Sequence, residues 1–179
     1  MKRILITGGS GFIGSHTCIV YLEKGYELFV LDSNINSSPI SLEKIKEILH
    51  SKGIKCDNRL HFYKGDLRDK DFLENIFYSA ANEGKPINGV VHLAGLQSVS
   101  QSNELSLMYW ENNLSGTINL LMIMDKYNCN TLIFSSSATI YKNSTSNFLD
   151  EKSEIEPINP YGNTKFAIEM LLEDVFKKK

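Results

Sequence analysis

The sequence predicts an α/β fold built on a doubly wound parallel sheet. Three observations predict it. Short apolar runs alternate with helix-spaced apolar patterns, the runs are apolar on both faces, and a glycine-rich turn joins the first run to the first helix. Strands buried on both sides and separated by helices imply right-handed parallel crossovers. The expected strand order is 3-2-1-4-5, with a ligand cleft at the carboxyl ends of the strands.

Arg3 to Thr7 reads as the first strand. Phe12 to Lys24 reads as the first helix, with Phe12, Ile13, Ile19, Val20 and Leu22 at helical spacing. Glu27 to Leu31 forms the second strand and ends at Asp32, and a polar turn leads to a helix over Ser41 to Ser51. The third strand is Leu60 to Lys64, followed by a helix from Lys70 to Asn82. Gly89 to Gly95 reads as the fourth strand and Thr131 to Phe134 as the fifth, with one long helix, Leu105 to Lys126, between them. A polar, loop-like stretch through Asn143 to Glu156 precedes the last helix, Tyr161 to Phe176. The lysines Lys177, Lys178 and Lys179 suit a helix C-terminus electrostatically.

A length of 179 residues fits one domain, able to bury roughly two thirds of its unfolded surface. Hydrophobic content of 42% and charged content of 22% are ordinary for a soluble protein. A net charge of -2 gives no reason to expect nucleic acid or an anionic membrane as a partner. No run approaches a membrane span, and Met1-Lys2-Arg3 leads quickly into glycines, so no secretory signal is expected. Cys18, Cys56 and Cys129 are odd in number and lack metal-ligand spacing, which reads as reduced structural thiols in a cytoplasmic protein. His16, His50, His61 and His92 are scattered, and no metal site is expected.

Gly9-x-Gly11-x-x-Gly14 follows the first strand and opens the first helix; with Gly8 the run also reads Gly-x-x-Gly-x-x-Gly. Such glycines permit a tight turn, backbone approach to a pyrophosphate and close helix–sheet packing. The pyrophosphate would meet unpaired N–H groups at the helix N-terminus. Asp32, ending the second strand, suits the ribose hydroxyls of NAD and repels a 2′-phosphate, so NAD is favoured over NADP. Its lesser reading is a turn cap.

Tyr161 and Lys165, four residues apart, share one helix face. A free phenol titrates near ~10, and lowering it to ~7 takes roughly 4 kcal/mol in favour of phenolate. A neighbouring ammonium and a cationic nicotinamide can supply that. None of the other tyrosines has lysine four residues on.

These residues resemble the extended short-chain dehydrogenase/reductase superfamily and, within it, the UDP-glucose 4-epimerases. The likeness is carried by Ile4 to Thr17, Gly65-Asp66-Leu67-Arg68, His92 to Leu96, Asn112 to Thr117, Ile133 to Tyr141 and Pro160-Tyr161-Gly162. The resemblance implies a Rossmann-like, NAD-binding domain over residues 1–179, truncated before the sugar-nucleotide domain. It implies Phe12 and Ile13 at the pyrophosphate loop, and Asp32, Asn36 and Ser37 at the adenosine ribose. It further implies Asp66 and Leu67 at adenine, Ala94, Gly95 and Leu96 along the cofactor, and Asn112 near its nicotinamide half. Ser137 would bond the sugar, Tyr161 would be the base, and Lys165 would hold the nicotinamide ribose. The implied reaction removes the proton of a UDP-sugar 4-hydroxyl as hydride leaves C4, then returns hydride to the other face of the rotated keto-sugar.

Four positions depart from the family pattern: Gln97 in place of a lysine, Ser33 in place of asparagine, Lys142 in place of glycine and Leu93 in place of an aromatic. Ser137-Ala138-Thr139-Ile140 lacks the carboxylate a related dehydratase would carry there, which favours epimerase. The other alternative is a non-catalytic, truncated cofactor-binding or dimerising module. Apolar stripes at Leu107, Trp110, Leu114, Leu121, Ala167, Leu171 and Val175 suggest a homodimer.

Overall fold

Arg3–Thr7 (β1) and Glu27–Asp32 (β2) are buried at every position, as a central pair of parallel strands must be. The structure is a computed structural model and describes residues 1–143 and 148–177. Residues 144–147 of the polar stretch, and Lys178 and Lys179 of the terminal lysines, lie outside the described residues. Leu60–Lys64 (β3), Ile87–His92 (β4) and Leu132–Phe134 (β5) complete one five-stranded sheet. Its order is β3-β2-β1-β4-β5 and every pairing is parallel, as the sequence predicts.

The described residues form two compact units: Met1–Ala94 with Asn119–Ser135, and Gly95–Ile118 with the chain from Ser136 onward. The first holds the sheet. On one face, Ile4, Ile6, Leu28, Val30, Leu60 and Val91 pack with Cys18 and Leu22 of α1 (Phe12–Glu23) and Leu42, Ile45 and Leu49 of α2 (Ile40–Ser51). Strand alternation turns Leu5, Phe29 and Leu31 the other way. There α3 (Lys70–Asn82) buries Leu73, Ile76, Phe77 and Ala80, and Phe77 lies 5.8 Å from the Tyr127 ring. At the strands' amino ends, Arg3 is buried against Glu27 at 2.9 Å and also reaches Glu83 at 2.6 Å. Burial would raise the Glu27 carboxyl, but Arg3 and His61 hold it below the usual range.

Three sequence expectations need correction. The face α1 buries is Gly14, Cys18 and Leu22, whereas Phe12, Ile13 and Val20 are exposed. The fourth strand is Ile87–His92 and ends before Leu93, so Ala94 and Gly95 belong to the loop beyond it. The long helix is interrupted. After α4 (Val99–Glu104), α5 (Ser106–Tyr109) runs into a π-helical turn, Trp110–Ser115, and then α6 (Gly116–Lys126). A π turn inserts a residue into the helix ladder, which apolar spacing alone does not register. The last helix, α7, spans Pro160–Phe176. No helix among the described residues is long and apolar enough to cross a membrane. The three cysteines are free and buried, and burial pushes the Cys18 thiol up to about 12.

Gly14 fixes how closely α1 can approach the turn after β1. A Cβ there would lie 2.2 Å from the Gly8 carbonyl oxygen and 2.6 Å from the Gly9 Cα, both backbone atoms that cannot swing aside. Gly14→Ala is therefore expected to destabilise the fold by roughly 2 kcal/mol or more. Urea denaturation should show a lower midpoint at unchanged slope; an unchanged midpoint would mean the turn can open freely.

Candidate active site

In the first unit, the turn between β1 and α1 lies at the carboxyl end of the sheet. Gly8 adopts φ +71, and a Cβ on it would meet Ala94 N at 2.7 Å. The Thr7 hydroxyl accepts from Ala94 N at 3.3 Å and lies 2.7 Å from Nδ1 of buried His92. Turn and β4 loop are thus fastened together by backbone contact and one hydroxyl. Gly11 differs, because a Cβ there would meet only the Gly8 oxygen, at 3.3 Å. Little inside the chain demands glycine at that position, which leaves the approach of something from outside.

Gly11 caps α1 without any side-chain bond to its first N–H groups. Phe12 and Ile13 stand 82% and 60% exposed beside them. An uncapped helix N-terminus with its dipole can receive a phosphate group. Asp32, at the end of β2, accepts from Ser10 N at 3.0 Å, Asn34 N at 2.9 Å and the Ser37 hydroxyl at 2.8 Å. It is therefore a turn cap as well as a carboxylate at the strand end, and the two readings of the sequence are not exclusive. Asn36 is exposed in the same loop. Asp66 and Leu67, half-buried, follow β3; Arg68 binds the Asp66 carboxylate at 2.8 Å and holds it below the usual range. The Leu67 carbonyl accepts from Asn119 Nδ2 at 3.2 Å.

In the second unit, Asn159 caps α7 by accepting from Gly162 N at 2.8 Å, with Pro160 in the first turn. This start places Tyr161 and Lys165 one turn apart, with Lys165 Nζ 5.9 Å from the centre of the tyrosine ring. Lys165 is 5% exposed, and burial pushes its ammonium down to about 8. At neutral pH it still carries its charge for the most part. Gly162 lets α7 lie close to the short helical turn Ala138–Ile140, since a Cβ there would be 2.6 Å from the Thr139 oxygen. That turn is capped by Ser137, whose Oγ accepts from Thr139 N at 3.2 Å and from the Thr139 hydroxyl at 3.0 Å. Its lone pairs are thereby committed and its proton is left to donate.

Asn113, not singled out in the sequence, is the hub of this unit. Its Oδ1 accepts from Leu96 N at 2.8 Å, and its Nδ2 donates to Leu96 O at 3.1 Å and to Thr164 Oγ1 at 3.0 Å. Thr164 lies between Tyr161 and Lys165, so the π turn carrying Asn113 ties the Gly95-Leu96 loop to the helix of the pair. Asn112, the neighbour chosen from the sequence, is half-buried. Two adjacent asparagines on a helix point roughly 100° apart, and only the inserted π residue decides which turns inward. Gln97 is exposed just beyond Leu96.

A protein-family model described as GDP-mannose 4,6 dehydratase matches residues 5–179. UDP-glucose 4-epimerase 2 of Arabidopsis thaliana is 44% identical over 176 residues, which is 98% of this chain and 48% of that protein. UDP-glucose 4-epimerase of Bacillus subtilis is 42% identical over 172 residues, covering 96% and 47%. Among solved structures, that of UDP-glucose 4-epimerase from Bifidobacterium longum in complex with NAD+ and UDP superposes with a TM-score of 0.88 at 37% identity. The match covers 99% of this chain and 50% of that one. The chain spans about half the length of the curated relatives it matches.

The buried ammonium of Lys165 has a consequence for stability. Its folded pKa lies below the unfolded value, so the folded state is penalised wherever the lysine is charged. That penalty is complete below about 8 and fades as pH rises to 10.5, where the unfolded chain also loses its proton. Lys165→Met is expected to be more stable than the unmodified chain at pH 7, by on the order of 3 kcal/mol. The advantage should shrink steadily toward pH 10 in thermal melts, and a pH-independent difference would contradict this assignment.

Proposed function

We propose a function from one premise: the chain belongs to the family of NAD-dependent epimerases and dehydratases that includes the UDP-glucose 4-epimerases. The reaction is reversible epimerisation of a nucleotide sugar at C4, of the UDP-glucose/UDP-galactose type. The observation that carries it is the Tyr161–Lys165 pair on α7, a phenol with a buried ammonium beside its ring.

The uncapped N-terminus of α1 with Gly8, Gly11, Phe12, Ile13 and Gly14 would hold the pyrophosphate of NAD, and Asp32, Asn36 and Ser37 its adenosine ribose. Asp66, Leu67, Ala94, Gly95, Leu96 and Asn112 would line the remainder, and Lys165 would hold the nicotinamide ribose. The fit is supported by the open side of Gly11 and by the carboxylate at the end of β2. NAD, when bound, supplies a reversible hydride acceptor. Tyr161, as phenolate, takes the proton of the sugar 4-hydroxyl, with the Lys165 charge favouring that state. The proton of Ser137, free to donate, orients the same hydroxyl. Removing this proton as C4 is oxidised is general-base catalysis.

A dehydratase must also protonate a departing hydroxyl. Beyond Ser137 stand Ala138 and Thr139, which carry no acid, so epimerisation is the better reading although the matching family model bears a dehydratase description. Residues 1–179 are proposed to be the NAD-binding half of the enzyme, in a cytoplasmic setting suited to three buried free thiols. The uridine diphosphate handle is assigned to the part of the relatives that this chain does not span. A second reading is a non-catalytic cofactor-binding module.

Titration calorimetry separates these. NAD is expected to bind residues 1–179 at one site; no binding would remove the premise of both readings. UDP-galactose conversion with added NAD is expected to be slight, because positioning can supply ~7 kcal/mol or more of a barrier and the handle is unheld. Robust turnover would overturn the assignment of the handle, and turnover surviving in Tyr161→Phe would remove Tyr161 as base.

A second copy of the chain is the proposed partner of the second unit. Leu107 is 83% exposed, and Trp110, Leu114, Ala167, Leu171 and Val175 are half-buried, whereas Leu121 is buried and belongs to the interior. Sedimentation at high concentration is expected to show dimer; monomer alone would decide against it.

A further inference from the structure

Asn34 stands two residues beyond Asp32, between β2 and α2, in the left-handed region at φ 57. Its Nδ2 donates to Ser10 Oγ at 2.8 Å and to Ser37 Oγ at 3.0 Å. One side chain thus bridges the glycine turn and the loop after β2. The bonds around it have only one consistent polarity. A carboxylate accepts only, so the single Ser37 proton goes to Asp32 and its lone pairs face Asn34. The amide must therefore turn its nitrogen to the serines. Its oxygen is left buried, with no partner among the described residues.

A left-handed asparagine with an unsatisfied carbonyl is unfavourable on both counts, and such features persist where the surroundings demand them. What the loop gains is a fixed Asp32. Oδ1 takes two donors, Asn34 N and Ser37 Oγ, and Oδ2 takes one, Ser10 N. Of the roughly four acceptor positions of a carboxylate, one remains, and it is on Oδ2.

We propose that Asn34 is a positioning residue for cofactor choice: it locks Asp32 so that one aimed acceptor meets a ribose hydroxyl and a fixed negative charge meets any 2′-phosphate. This rests on the reading of the chain as NAD-binding. Without the Asn34 side chain, Ser37 and Ser10 lose their common donor, and the Ser37 bond to Asp32 is less firmly held, although the backbone donors Asn34 N and Ser10 N remain. A less firmly held carboxylate would both bind the diol less well and repel the phosphate less.

The test is calorimetric titration with NAD and with NADP of the unmodified chain, Asn34→Gly, Ser37→Ala and the double variant, beside thermal melts without dinucleotide. Glycine takes the left-handed backbone without strain and removes the orphan carbonyl. Asn34→Gly is expected to melt no lower than the unmodified chain, yet to bind NAD about tenfold more weakly and to show a narrower preference over NADP. Ser37→Ala should weaken NAD at least as much, since it removes a donor to Asp32 and a group proposed at the ribose; adding Asn34→Gly to it should change little further, because the Asn34 side chain reaches Asp32 only through the serines. Unchanged affinity and preference in Asn34→Gly would overturn the proposal, as would fully additive losses in the double variant. Failure of the unmodified chain to bind NAD would instead overturn the NAD-binding reading itself. Asp32→Ala is the reference: it should lose the preference outright.

Discussion

Close backbone-to-backbone contact at the carboxyl end of the sheet is the constraint on which the first unit depends. Gly8 lies against Ala94, and Gly14 lies against Gly8 and Gly9, at separations where no side chain fits. Three chain segments, the turn after β1, the start of α1 and the loop after β4, are thereby brought together with almost no side-chain filling. The parallel register of β1 with β4, which sets Thr7 opposite His92, delivers a side-chain link between the two strands. A ligand that approaches Gly11 therefore meets peptide groups and a helix terminus, which favour anionic groups over apolar ones.

The sheet was legible because its signal is redundant. β1 and β3 end, and α3 begins, where punctuation residues stand: a glycine pair after Thr7, Gly65 after Lys64, and the Asp69 cap before Lys70. Where burial is decided by a neighbour's shape, the sequence misled. In α1 the helix-spaced apolar residues Phe12, Ile13 and Val20 are exposed, and the buried positions include a glycine, because the helix must approach backbone. Spacing reports where apolar side chains recur. It does not report that a helix has been drawn in too far to accommodate them.

The site shows the same division. Tyr161, Lys165 and Gly11 could be singled out as candidates because each is tied to a rigid spacing or a strand–turn–helix context. Asn113 could not, since its inward turn follows from an inserted π residue that no apolar pattern encodes. Asp32 was legible as a carboxylate at a strand end but not as the centre of a hydrogen-bonded loop. Its three donors come from Ser10, Asn34 and Ser37, separated in sequence and ordinary in type.

Burial bears differently on Asp32 and on Lys165. Asp32 is buried to 7% exposure and carries three donors, so its charge is shared out among bonds that also order the loop. Lys165 is buried to 5% exposure, and desolvation is the dominant influence on it. A carboxylate with the binding task proposed for Asp32 would gain from being fixed, and satisfying it stabilises the fold. An ammonium with the proposed task of lending its field to Tyr161 would gain from a poorly screened setting, because the same charge acts more strongly at low local dielectric. That setting works against folding in proportion. The fold therefore places its unfavourable charge on α7, whose first turn is secured by the Asn159 cap and by the bond of Thr164 to Asn113. Fastening ahead of the pair and within it allows a destabilising lysine to stay in register with its tyrosine.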